Sequence, residues 1–132
     1  MERLKERLAV ARQALGTLQE VLLVEPPSRV ERDAAMQRFE YTCEAAWKAA
    51  QRYLLEMEGV AVGSPKGSIR ASREVGLFSD EQATLGLEMI DDRNLTVHTY
   101  NEKLAEDIYS HLPGYADLLH VWLAAMEERL KP

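Results

Sequence analysis

The stretch Asp91-Asp92-Arg93-Asn94-Leu95-Thr96-Val97-His98-Thr99-Tyr100-Asn101-Glu102 holds most of the chemistry this chain offers. Arg93 is a permanently charged, planar fork whose donors match phosphate oxygens. His98 is the side-chain type that exchanges protons near neutral pH. Tyr100 adds a phenolic hydroxyl and Asn94 an amide. Together such groups can hold a phosphodiester, move a proton and stabilise a charged phosphorane without metal. The same residues also suit a structural role. Arg93 could pair with Asp91, Asp92 or a neighbouring helix, His98 could be a satisfied core residue, and Tyr100 could pack with its hydroxyl at the rim.

Angles constrain the choice. At about 100° per residue, Arg93 and His98 lie about 140° apart on an ideal helix, while Arg93 and Tyr100 nearly eclipse. One continuous helix therefore does not put Arg93 and His98 on one face. Either the helix ends near Val97 or the site combines residues of two chains. Asn101 with Glu102 reads as the start of a following helix, which favours a break around Thr99 to Asn101.

Few other signatures compete. Gly59, Gly63 and Gly67 lack the spacing and the preceding strand of a phosphate-cradling loop. His98, His111 and His120 are far apart, and no ligand set for a metal is expected. The single Cys43 excludes an internal disulfide and sits on an apolar helical face, as a small core residue does. No cofactor is expected. Lys66, Arg70 and Arg73 form the one tight basic cluster, read either as a solvated helix start or as a local phosphate-binding patch. The net charge of −6 argues against a general nucleic-acid-coating protein. No signal peptide is apparent, and no apolar run approaches the roughly 18 residues of a membrane span. A cytoplasmic location without membrane association is the expectation.

The elements that must position these residues are helical. Leu4, Leu8, Ala11, Leu15, Leu18 and Leu22 repeat at steps of four and three, and Pro26-Pro27 stops that helix. Met36, Phe39, Cys43, Ala46, Ala50, Tyr53 and Met57 continue the pattern from about Arg29 to Glu58, where Gly59 ends it. A loop spans Gly59 to Gly67, followed by a short helix around Ser68 to Val75. Ser79 with Gln82 forms a capping box, and Ala83, Leu87, Ile90, Asn94 and Val97 make the next seam. Leu104, Ile108, Leu112, Tyr115, Leu119, Trp122 and Met126 form the last, with a kink or break expected at Pro113-Gly114. The 132 residues thus predict one all-α domain, residues 1–132: an up-and-down bundle of four long helices and one short one. Helices this long can leave an apolar strip uncovered, so dimerisation is expected.

Arg93, four residues, His98, one residue and Tyr100 resemble the motif of the HEPN superfamily. Within it, the chain resembles the nucleotidyltransferase substrate-binding proteins, small partners of minimal nucleotidyltransferases. Asn94 after the arginine and Thr99-Tyr100-Asn101-Glu102 fit the same pattern. So do Arg38-Phe39-Glu40-Tyr41, Trp47-Lys48, Ser64-Pro65-Lys66, Gly76-Leu77 and Ile108-Tyr109. The resemblance implies a five-helix HEPN bundle that dimerises, as a homodimer or a higher even oligomer, so that paired motifs form one cleft. It implies a metal-independent ribonuclease in which His98 moves the proton, Arg93 holds the phosphate, and Asn94 and Asp92 orient them. In the toxin branch of toxin–antitoxin pairs, the partner adds AMP to the motif tyrosine, here Tyr100, and silences the enzyme. The alternative is a non-catalytic substrate-binding subunit that completes a nucleotidyltransferase. The chain has no nucleotidyltransferase signature, so either reading takes that enzyme as partner, the first with RNA as substrate.

Overall fold

The computed structural model describes every residue from Met1 to Pro132. It contains five α-helices and no strand: α1 (Glu2–Leu22), α2 (Arg29–Glu58), α3 (Pro65–Glu74), α4 (Asp80–Leu95) and α5 (Glu102–Arg129). A short 3-10 turn, Thr96–His98, joins α4 to α5. No helix is long and apolar enough to cross a membrane.

The helix ends follow local chemistry. At the start of α2 the Ser28 hydroxyl accepts from the Glu31 amide at 3.1 Å, and the Glu31 carboxylate accepts from the Ser28 amide at 2.9 Å. At its end Gly59 has φ +68°, the left-handed conformation that terminates a helix at little cost only for glycine. Ser79 and Gln82 build the same reciprocal cap on α4. These boundaries are those the sequence predicts. The start of α3 is earlier than expected. Pro65 occupies the first helical turn, and the Ser64 hydroxyl accepts from the Gly67 amide at 3.0 Å. Proline's missing donor and fixed φ suit that position, so Ser64-Pro65 is a helix start and not part of the loop.

The expected break at Pro113-Gly114 does not occur, and α5 runs unbroken through Pro113. A proline removes one backbone bond and crowds the preceding turn. Burial on both sides offsets this: Leu112, Tyr115, Ala116 and Leu119 all enter the core around it.

One continuous apolar core joins all five helices, with α2 at its centre in contact with each of the others. In α1, Val21 closes the buried stripe in place of Leu22. In α2, Met57 lies beyond the core and is exposed. The seam of α4 also differs from expectation. Ala83, Gly86, Met89 and Ile90 are buried, whereas Asn94 and Val97 are exposed. Gly86 explains the turn of this helix. A Cβ there would lie 3.1 Å from the Ile69 side chain, so its absence lets α3 seat directly on α4. The helix presents that side inwards and its last turn outwards.

Candidate active site

The last turn of α4 and the linker after it carry the motif. Thr96 is buried and its hydroxyl donates to the Arg93 carbonyl at 2.7 Å, which closes α4. The Asn101 amide donates to the His98 carbonyl at 3.0 Å, and the Asn101 side chain accepts from the Leu104 amide at 3.2 Å, which opens α5. A β-branched run, Thr96-Val97, followed by a strong N-cap residue disfavours helical continuation. Arg93 therefore leaves from a helix, His98 from a tight turn and Tyr100 from the linker, so the helix ends near Val97, one of the two alternatives the angles leave.

His98 and Tyr100 are both exposed, Tyr100 at 75%. The His98 Nδ1 and the Tyr100 hydroxyl are 3.2 Å apart. Neither residue is a core packing group. Arg93 is half-buried and reaches back to α2. Its Nη2 lies 3.5 Å from Glu44 Oε2, and its Nη1 donates to Asn94 Oδ1 at 3.5 Å. Glu44 is itself fixed: the Trp47 Nε1–H donates to it at 2.9 Å, and Lys48 Nζ lies 3.3 Å away. The indole hydrogen bond, with the nearby Lys48 and Arg93 charges, holds the Glu44 carboxyl below its ordinary range. No hydrogen bond joins the Arg93–Asn94 pair to the His98–Tyr100 pair.

Asp92, expected beside Arg93, is engaged on α5. It accepts from the Tyr115 hydroxyl at 2.6 Å and from His111 Nδ1 at 3.0 Å. Burial, then this carboxylate, pushes the Tyr115 phenol well above its ordinary range. Asp92 thus ties α4 to α5 and leaves Arg93 to Glu44. Two of the three basic residues, all on α3, have acidic partners. Lys66 pairs with Asp91 at 2.6 Å, Arg73 lies 3.8 Å from Asp80, and Arg70 is exposed without an ion pair. Cys43 is a core residue, and burial pushes its thiol far up, away from thiolate chemistry.

Three contributors carry no signal in the sequence. Glu44 is one. The others are Arg29 and Arg32, which grip Glu102 just after the tyrosine. Arg29 Nη2 lies 2.6 Å from Glu102 Oε1, and Arg32 Nη1 and Nη2 lie 2.9 and 3.0 Å from the two oxygens. The Arg32 bonds above all, then the Arg29 and Arg32 charges, pull the Glu102 carboxyl down to about 2. A depressed folded pKa stabilises above the ordinary value of about 4.5, and that contribution is lost as pH falls toward about 2. Acid unfolding of the wild type and Glu102→Gln, followed by circular dichroism, is expected to show a wild-type advantage that shrinks between those values. An advantage that stays constant across that window would refute the coupling.

The five helices thus carry an arginine at the end of α4, a histidine in the turn and an exposed tyrosine beyond it. The family model described as "Nucleotidyltransferase substrate binding protein like" matches residues 6–128, and the chain belongs to that family. A Thermus thermophilus protein with a known crystal structure is similar at 59% identity and a TM-score of 0.86. The match covers 88% of this chain and 98% of that one. A tri-AMPylated HEPN toxin from Shewanella oneidensis, solved with its MNT antitoxin, shares the fold at a TM-score of 0.77 and 14% identity, over 95% and 96% of the two chains. A Haemophilus influenzae protein, described as revealing the fold of a substrate-binding domain of a nucleotidyltransferase, shares it at 0.75 and 21% identity, over 91% and 98%. Comparison with proteins of curated function finds no match.

Proposed function

We propose that this chain is the HEPN-type partner of a minimal nucleotidyltransferase and acts as a ribonuclease toxin silenced by AMP addition at Tyr100. The observation that carries the reading is the exposed turn in which His98 Nδ1 and the Tyr100 hydroxyl lie 3.2 Å apart, directly after the helix end that bears Arg93. The 2′-hydroxyl of RNA attacks its own 3′-phosphorus; the O2′–P bond forms and the P–O5′ bond breaks. One imidazole takes the 2′-hydroxyl proton, and a second, from a paired chain, protonates the leaving O5′. Arg93 holds the phosphate and its growing charge, and Asn94 beside it orients the fork. A homodimer supplies both imidazoles, and the exposed Leu95 and Val97 around the turn suit such a contact.

Silencing uses the same turn. The Tyr100 hydroxyl attacks the α-phosphorus of ATP on the partner enzyme: the O–Pα bond forms, the bond from Pα to the bridging oxygen breaks, diphosphate leaves and the phenolic proton is released to solvent. The resulting AMP places a bulky anion beside His98, where it excludes RNA phosphate by volume and charge. Incubation with ATP and the nucleotidyltransferase partner is expected to raise the mass of the Tyr100 peptide by one or more AMP groups. Loss of cleavage should accompany the modification. An unmodified Tyr100 in an active complex would remove this mode of control.

The net charge of −6 favours the second reading, a substrate-binding subunit without activity of its own. That reading expects no cleavage of RNA by the purified chain and nucleotide transfer to another acceptor only in the complex.

A further inference from the structure

Arg93 is the cation on which the proposed chemistry depends, yet its contacts are unusual for a guanidinium beside a carboxylate. Charge-assisted N–H···O bonds run about 2.7 to 2.9 Å. Both of the polar contacts of Arg93, to Glu44 and to Asn94, are 3.5 Å. The Glu44 carboxylate, in contrast, is gripped within α2. It accepts at 2.9 Å from the Trp47 indole one turn along, and Lys48 approaches its other oxygen at 3.3 Å. Trp47 is half-buried against the core, so the indole cannot easily leave. The carboxylate is thus fixed by its own helix and not by the arginine it faces. It offers Arg93 a counter-charge held by its own helix, at a distance too long to saturate the fork.

We infer that Glu44 is a positioning residue that aims Arg93 across the α2–α4 gap while leaving its donors free for a phosphate. Arginine has five N–H donors in a rigid fork. A tight bidentate carboxylate would consume the pair that a phosphate needs. A fixed carboxylate at 3.5 Å holds the guanidinium in place by charge alone. The alternatives open to Arg93 within its own helix are already taken, Asp91 by Lys66 and Asp92 by Tyr115 and His111. Remove the charge of Glu44, and Arg93 keeps on α4 only the 3.5 Å contact to the neutral Asn94 amide. Lys48 and Trp47 then act on Arg93 through Glu44, Trp47 as the donor that locks the carboxylate.

This inference rests on the reading of Arg93 as the phosphate holder, and its test separates the two. The variants are Glu44→Gln, which keeps an acceptor for the indole and removes the charge, and Trp47→Phe, which keeps most of the ring and removes the donor. The first readout is the Arg93 Nε–H signal in ¹⁵N NMR, assigned by its loss in Arg93→Lys. The side-chain order of Arg93 is expected to fall clearly in Glu44→Gln and partly in Trp47→Phe, with backbone shifts elsewhere unchanged. The second readout is RNA cleavage, where Glu44→Gln should lower kcat about tenfold without raising KM, because a misaimed fork is lost mainly in the transition state. Unchanged Arg93 order in Glu44→Gln overturns the inference whether or not RNA is cut. Faster cleavage by Glu44→Gln overturns it too, since the carboxylate would then be a competitor of phosphate. A fall in Arg93 order on Glu44→Gln substitution, in a protein whose wild type never cuts RNA, sustains the positioning role and instead removes the ribonuclease reading.

Discussion

Replacing His98 by alanine is expected to reduce metal-free RNA cleavage about 10²- to 10⁴-fold, the range that a positioned general acid or base supplies. The loss should reach the upper part of that range. In a paired site every cleavage needs one imidazole as base and another as acid, and a homodimer of the variant has neither. Arg93→Ala should cost about 10²- to 10³-fold, as removal of one charge-stabilising donor group does. Arg93→Lys should recover little, because an ammonium cannot present the planar fork. The loss in His98→Ala should not come from unfolding. His98 is exposed, and its one side-chain hydrogen bond is to the equally exposed Tyr100. Exposed substitutions of this kind usually change stability by less than about 0.5 kcal/mol. Cleavage measured with chelator present, beside thermal unfolding of each variant, checks both halves. Cleavage that persists in His98→Ala and Arg93→Ala would mean the nuclease lies elsewhere or is a contaminant. Mixing His98→Ala with wild-type chains gives a further check. Heterodimers hold one imidazole, so activity should fall more steeply than the fraction of wild-type chains if the two act together.

What can be read from the sequence follows the reach of each physical signal. Both ends of α2 are legible because each carries its own local chemistry: Ser28 with Glu31 at one, Gly59 at the other. The start of α3 is not, since Ser-Pro serves a turn and a helix start equally well, and only the bond from Gly67 to Ser64 decides it. Pro113 misleads for a related reason. Its local cost is real, but the four core side chains around it outweigh that cost, and their burial is a property of the assembled bundle.

The site divides the same way. Arg93, His98 and Tyr100 are legible from residue type, and the helix break between them from the angle together with the N-cap residue Asn101. Asp92 is adjacent to Arg93 in sequence, yet adjacent residues on a helix point about 100° apart, and Asp92 turns to His111 and Tyr115 on α5. Glu44 is invisible. With Trp47 and Lys48 three and four residues on, it reads as an ordinary surface carboxylate of one helix. Nothing in α2 alone says that α4 will deliver an arginine to it. Arg29 and Arg32 are hidden likewise, being 73 and 70 residues from the Glu102 they hold. A reading confined to local spacing finds Arg93, His98 and Tyr100 and misses the distant partners Glu44, Arg29 and Arg32.

Trp122→Ala is expected to cost about 3–5 kcal/mol of folding stability, the usual range for a buried Trp or Phe cut to alanine. Trp122 is fully buried near the C-terminal end of α5, with its ring centroid 5.1 Å from that of Phe78. Its Nε1–H donates at 2.9 Å to the hydroxyl of Ser72 in α3, itself fully buried. The variant therefore opens a cavity and strands a buried hydroxyl as well. Domains of this kind have about 5–15 kcal/mol in total, so the loss takes a large share. Trp122→Phe separates the two parts. It keeps most of the volume, and the unpaired Ser72 hydroxyl should account for about 1–3 kcal/mol. Urea unfolding should show lower midpoints with unchanged slopes for both variants, and equal midpoints for wild type and Trp122→Phe would show that the Ser72 bond contributes nothing. The consequence for the site follows from how α3 is held. The ten-residue α3 is too short to persist alone. It is fastened by Ser72 to α5 and by Ile69 against Gly86 of α4. Loosening the Trp122 end weakens the support under the helix that carries Arg93. The lost stability should then appear first as faster amide exchange in α3 and α4, ahead of α1 and the middle of α2.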